Sequence, residues 1–170
     1  MSVQPTALPQ RDEPCLGARP PEHDGGHREC VGLAALPTAV PLVRSFARAK
    51  LSAWGLDGAH GWECQQVLSE LVTNAFDISG GPVSGNLLAL DDLAMILIQL
   101  RISAGHLVVE VRDTGDGRPL IPDSDLNDEG GRGLRLATLL ASKWGWYPVT
   151  SPKPGKVVWA SWGLDRSDAS

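Results

Sequence analysis

Met95-Ile96-Leu97-Ile98-Gln99-Leu100-Arg101-Ile102, then Ser103-Ala104-Gly105, then His106-Leu107-Val108-Val109-Glu110-Val111-Arg112-Asp113: two apolar runs flank a three-residue link. In the first run Ile96, Ile98, Leu100 and Ile102 alternate with Gln99 and Arg101. In the second, Leu107, Val109 and Val111 alternate with Glu110 and Arg112. A period of two belongs to strands with one buried face, because successive side chains point to opposite sides. The short link between the runs predicts an antiparallel hairpin. Asp113 continues the odd-numbered apolar series, so its carboxylate points to the core side. Burying a charged group without hydrogen bonds costs on the order of a few kcal/mol or more, so this carboxylate needs a donor.

Upstream of the hairpin the period changes to that of a helix. From Thr38 to Trp54, Val43, Phe46, Ala47, Leu51 and Trp54 recur at helical spacing, while Arg44, Arg48 and Ser52 share another face. This first amphipathic helix is predicted to end near Gly55. A second helix is predicted from about Trp62 to Ile78, with Val67, Leu68, Leu71, Val72 and Ala75 on its core side. Ser79 to Asn86, with three glycines and Pro82, reads as a loop.

Downstream, the polar connection from Arg118 to Glu129 suits a mobile lid. A third, largely buried helix is predicted from Gly133 to about Trp144, with Gly145 as its C-terminal cap. A turn at Pro152 to Gly155 and a strand from Lys156 to about Trp162 follow. Residues 1–36, rich in proline and without an apolar period, are predicted to be a disordered tail. Residues 37–165 then form one domain and 166–170 a polar tail.

At 170 residues and 42% hydrophobic content, the composition is that of one globular domain. A formal charge of -5 and a pI near 5.3 argue against direct nucleic-acid binding. No apolar run reaches the roughly 20 residues that span a bilayer, and the N-terminus lacks the apolar core of a signal peptide. The expected location is the cytoplasm, with no membrane partner. Cys15, Cys30 and Cys64 are odd in number and widely spaced, which fits free thiols. His27 and Cys30 form a lone His-x-x-Cys without the second ligand pair of a zinc site.

Three stretches carry chemistry. Glu70 and Asn74, four residues apart, sit one above the other on a helix face. Asn in a helix interior is mildly unfavourable and asks for a reason. A metal supplies one, since Mg²⁺ takes hard oxygen ligands and keeps several waters, which leaves Glu70 free to act as a base.

Asp113-Thr114-Gly115-Asp116-Gly117 ends the hairpin. An adenine amine would satisfy Asp113, although Asp-x-Gly-x-Gly is also common turn chemistry. Gly115 and Gly117 fit either a positive-φ backbone or close approach of a flat base. Gly130-Gly131-Arg132-Gly133-Leu134 opens an apolar helix, where backbone N–H groups and the dipole favour anions and Arg132 offers a planar donor fork to phosphate. Adenine at one end and phosphates at the other is the simplest common reading. The glycine-rich loop of P-loop proteins and the dinucleotide fingerprint are both absent.

The combination resembles the GHKL ATPase superfamily, and within it the short, single-domain anti-sigma-factor branch that phosphorylates serine on partner proteins. The resemblance spans about Pro41 to Leu164. It implies that Glu70 is the catalytic base and that Asn74 is the magnesium ligand. It further assigns Asp113, Gly115 and Gly117 to adenine, and Gly131, Arg132, Gly133 and Leu134 to the phosphates. The flanks Trp54-Gly55-Leu56, Lys143-Trp144-Gly145 and Gly155-Lys156-Val157-Val158-Trp159 are similar to that branch too.

The segment Ser79 to Leu93 is longer than the family's usual connection. The resemblance implies a two-layer α/β (α+β) sandwich with a mixed, mostly antiparallel sheet carrying helices on one face. It also implies ATP and Mg²⁺ as cofactors and a sigma factor or anti-anti-sigma-type protein as partner. Dimerisation through the apolar first helix and a non-catalytic, ATP-binding regulatory module remain alternatives.

Overall fold

In chain order the elements are β1 (Cys15–Leu16), β2 (Arg28–Ala34), α1 (Ala39–Ala53), α2 (Ala59–Ser79), β3 (Met95–Ser103), β4 (His106–Asp113), α3 (Arg132–Leu140), β5 (Lys143–Val149) and β6 (Gly155–Gly163). The computed structural model describes residues 15–16, 19–22, 24–79, 94–115, 119 and 132–165. β3 and β4 form the predicted hairpin, in register from Leu97↔Arg112 to Ser103↔His106. Ala104 (φ 49°) and Gly105 (φ 72°) make its two-residue turn. Positive φ at both positions is the geometry that matches strand twist.

The hairpin lies inside a six-stranded sheet of order β1-β5-β6-β4-β3-β2. Among the described strands only the β1–β5 pairing is parallel, so the sheet is mixed and mostly antiparallel. Ile96, Ile98 and Leu100 of β3, Leu107, Val109 and Val111 of β4, and Val158, Ala160 and Trp162 of β6 face one way. They meet Val43, Ala47 and Leu51 of α1, Val67, Leu68, Leu71, Val72 and Ala75 of α2, and Leu134 and Ala137 of α3 in one buried cluster. All three helices therefore cover the same face, and the architecture is the expected two-layer sandwich.

The Cys64 thiol lies fully buried in this cluster, where burial pushes its pKa far up. Cys30 and Cys64 are free thiols. No helix among the described residues is long and apolar enough to cross a membrane.

α1 ends as expected at Gly55. The Leu56 N–H reaches the Leu51 carbonyl (2.8 Å), the Gly55 N–H reaches Ser52 (3.0 Å), and Gly55 takes φ 74°. This is the Schellman arrangement, closed by burial of Leu56 with Leu51.

Two expectations fail. Residues 1–36 are not wholly a disordered tail, because β2 pairs with β3 along its full length from Arg28↔Arg101 to Ala34↔Met95. Its Val31 and Leu33 pack on the core, and its Glu29 meets Lys50 of α1 at 3.1 Å. β1 likewise adds Cys15–Leu16 to the edge of β5. The short alternation in Arg28–Ala34 is hidden by the proline-rich residues before it. The ladder with β3 supplies the hydrogen bonds that make it a strand. His27, just ahead of β2, stacks on Trp54 with ring centroids 5.3 Å apart, and Cys30 donates to Gln99 Oε1 at 3.4 Å.

The third helix is also shorter than predicted. It stops at Leu140, and Lys143–Val149 is β5, so Gly145 caps no helix but pairs with Trp159 of β6. Trp144 is buried in either secondary structure, which is why its apolar character does not discriminate between them. Two tryptophans tie the end of α3 to the sheet. Trp144 Nε1 donates to Thr138 Oγ1 (2.9 Å), and Trp162 Nε1 donates to the Leu140 carbonyl (2.9 Å).

Candidate functional site

Asp113 closes β4 on the helix-covered face, as strand alternation requires, and is 1% exposed. Its register partner on β6 is Lys156, which lies on the same face and is equally buried. Lys156 Nζ donates to Asp113 Oδ1 at 2.8 Å, and the Gly115 N–H donates to the same oxygen at 2.8 Å. The turn chemistry and the ligand reading are therefore not alternatives. Oδ1 makes the turn, while Oδ2 is buried with no hydrogen-bond partner among the described residues. Burial pushes the Asp113 carboxyl above the ordinary carboxylate range, and the Lys156 ammonium and the Gly115 N–H offset only part of that rise. A buried acceptor oxygen left open is what an exocyclic amine would fill.

Gly155 holds this corner together. A Cβ there would lie 2.0 Å from the Asp113 carbonyl oxygen and 3.1 Å from the Thr114 Cα, so only glycine lets β6 approach the end of β4 this closely.

α2 carries Glu70 and Asn74, both half-buried and one helical turn apart. The same helix packs against both β4 and α3. The elements carrying all three motifs are therefore immediate neighbours around α2. α3 begins at Arg132, and its Leu134 is 2% exposed, anchored in the core. Leu134 thus fixes the helix start, and the anion-favouring N–H groups precede it.

Gly117, Gly131, the Arg132 side chain, the lid from Arg118 to Glu129 and the long segment to Leu93 lie outside the described residues. Pro119 is the exception within the lid and is buried. Among the described residues no group of His, Cys, Asp and Glu side chains could by itself hold a metal. Asn74 offers one neutral oxygen, which fits an ion held mainly by phosphate oxygens and water.

Residues 33–162 match the family model of the histidine kinase-like ATPase domain, about three-quarters of the chain. The chain belongs to this family. A histidine kinase-like ATPase domain is built to bind ATP, and the elements that bear this chain's motifs are β4, α2 and α3. No curated protein sequence matches the chain.

Two residues of the site are not evident as site residues from sequence. Lys156 carries a legible signal, since it shares the alternation of Val158, Ala160 and Trp162 and is the one charged residue in that series. Gly155 carries none beyond a turn, because its role depends on contact with a distant strand.

The opposite face of the sheet holds a separate polar cluster. Glu110 accepts from Arg101 Nε (2.9 Å), Gln99 Nε2 (2.7 Å) and the Tyr147 hydroxyl (3.2 Å), and Arg28 Nε donates to Gln99 Oε1 (2.9 Å). Residues ahead of β2 cover one end of it, with Arg19 over the Tyr147 ring and the Ser103 hydroxyl bonded to the Glu22 carbonyl. Burial and the nearby Glu110 charge push the Tyr147 hydroxyl up to about 12.

Proposed function

We propose that the chain is an Mg-ATP-dependent serine/threonine protein kinase of anti-sigma-factor type, acting in the cytoplasm on a protein partner that is a sigma factor or its antagonist. The observation that carries this reading is the pairing of Glu70 and Asn74 one turn apart on α2, beside the strand whose terminal Asp113 keeps an open acceptor oxygen. In this reading Asp113 Oδ2 accepts the adenine amine and Gly115 lines the base. Asn74 would hold Mg²⁺, which when bound neutralises charge on the phosphate oxygens.

Arg132 and the backbone N–H groups at the start of α3 orient the terminal phosphate. Glu70 accepts the proton from the partner's hydroxyl as that oxygen bonds to the terminal phosphorus and ADP leaves with the cleaved bond's electrons. Most of the acceleration then comes from positioning and electrostatics, with little covalent chemistry left to the protein.

Incubating the chain with Mg-ATP and a candidate partner tests this. Phosphoserine or phosphothreonine should appear on the partner with wild type and fall by about 100-fold or more with Glu70→Ala, the low end of a general base's contribution, while ATP still binds. Equal phosphorylation by the two proteins would remove Glu70 from its role. ATP binding without any transfer would leave a regulatory module whose nucleotide state is read by its partner.

A further inference from the structure

Lys156 takes no direct part in the proposed transfer. Lysine is rarely buried, yet Lys156 is 1% exposed and sits opposite Asp113 on the helix-covered face. Packing does not demand it: Val158, Ala160 and Trp162 occupy the same face of β6, and an apolar chain would fill the space without desolvating an ammonium. What an apolar chain would not do is saturate one oxygen of Asp113. With Nζ and the Gly115 N–H both on Oδ1 at 2.8 Å, the two oxygens are made unequal, and Oδ2 remains as the open, buried acceptor.

The protonation state of that carboxyl decides what it can recognise. An ionised carboxylate only accepts hydrogen bonds, whereas a protonated one also donates. Burial alone drives Asp113 toward the protonated form, and the ammonium beside it opposes that drive. Purines differ at the matching position, since a 6-amino group donates and a 6-oxo group accepts.

We propose that Lys156 sets the base specificity of the nucleotide site, holding Asp113 as an acceptor-only carboxylate so that Oδ2 takes a 6-aminopurine nucleotide and rejects a 6-oxopurine one. The inference rests on the ATP reading of the site. Lys156 acts through Asp113 and is a positioning residue. Its removal should change which base is preferred and should not simply weaken binding.

Calorimetric titration of ATP and of inosine triphosphate, each with Mg²⁺, into wild type, Lys156→Arg, Lys156→Gln and Lys156→Met tests this, with circular dichroism confirming the fold of each. Wild type should prefer ATP. Arg, which keeps a charged donor, should retain the preference. Gln and Met should move the ATP-to-inosine triphosphate affinity ratio toward the 6-oxo nucleotide by about tenfold, the worth of one hydrogen bond.

Gln preserves a neutral donor and decides the matter if Met fails to fold. An unchanged ratio in the folded variants, or a wild type that binds both nucleotides equally, overturns the proposal. A wild type that binds neither removes the nucleotide reading itself, and the specificity proposal falls with it.

Discussion

Gly155→Ala is the sharpest structural test of how the site is built. The added Cβ would stand 2.0 Å from the Asp113 carbonyl oxygen, 3.1 Å from its carbon and 3.1 Å from the Thr114 Cα, whereas ordinary contact begins near 3.4 Å. All three atoms are backbone, so no side chain can rotate away. The end of β4 or the start of β6 has to move by more than 1 Å, and this is the corner that carries the Asp113–Lys156 pair.

Overpacking of this kind costs about 1–3 kcal/mol. With a urea m of about 2 kcal/mol/M, the unfolding midpoint should fall by about 1 M. A displacement of about 1 Å in a positioned group can also cost about 100-fold in function, so ATP affinity should fall well beyond what the stability loss explains. Gly163→Ala, at the far end of β6 with nothing within 4 Å of its Cβ, is the control and should stay within about 0.5 kcal/mol of wild type. Urea melts and ATP titrations on both variants read the two effects. If Gly155→Ala behaves like Gly163→Ala, the close approach of the strands does not constrain the end of β4 or the Asp113–Lys156 pair.

Other consequences follow from single groups. Tyr147 is the only tyrosine in the chain, so tyrosinate absorbance reports one residue. Its hydroxyl should ionise near pH 12, against about 10 when unfolded. The raised value means that its contribution to stability is complete below the unfolded value and is lost as pH rises through 12. A midpoint near 10 in the folded protein, the ordinary tyrosine value, would show that Glu110 and burial do not act on it. Leu51→Ala removes a side chain that is 1% exposed and closes the end of α1, and thermal or urea unfolding should register a loss of about 2–5 kcal/mol. A loss below about 1 kcal/mol would mean the core collapses freely around the gap.

The helix layer and the central hairpin are legible in the sequence because each element carries its own period: two in Ile96 to Ile102 and again in Leu107 to Val111, 3.6 in Val43 to Leu51 and Val67 to Ala75. Gly55 marks a helix end because positive φ is cheap only for glycine. The edges of the sheet are harder. β2 has seven residues with only Val31 and Leu33 as inward apolar anchors, and its identity as a strand comes from the long-range ladder to β3. β5 reads as a continuation of α3, since Trp144 suits the buried side of either element and no breaker stands before Lys143.

In the site, alternation alone places Asp113, and its need for a donor follows from that placement. That Lys156 partly supplies the donor does not follow, although a lysine in the Val158–Trp162 alternation is the available clue. The register that sets Asp113 against Lys156 joins residues 43 positions apart, beyond the reach of any local pattern.

If Asp113 Oδ2 accepts the amine of ATP, that carboxylate carries the base recognition of the site. Calorimetric titration of Mg-ATP into wild type and into folded Asp113→Asn tests it most directly. Wild type should bind, and the variant should bind at least about tenfold more weakly, the worth of one hydrogen bond to a charged group. Equal affinity in the two proteins, or no binding by a folded wild type, would contradict it.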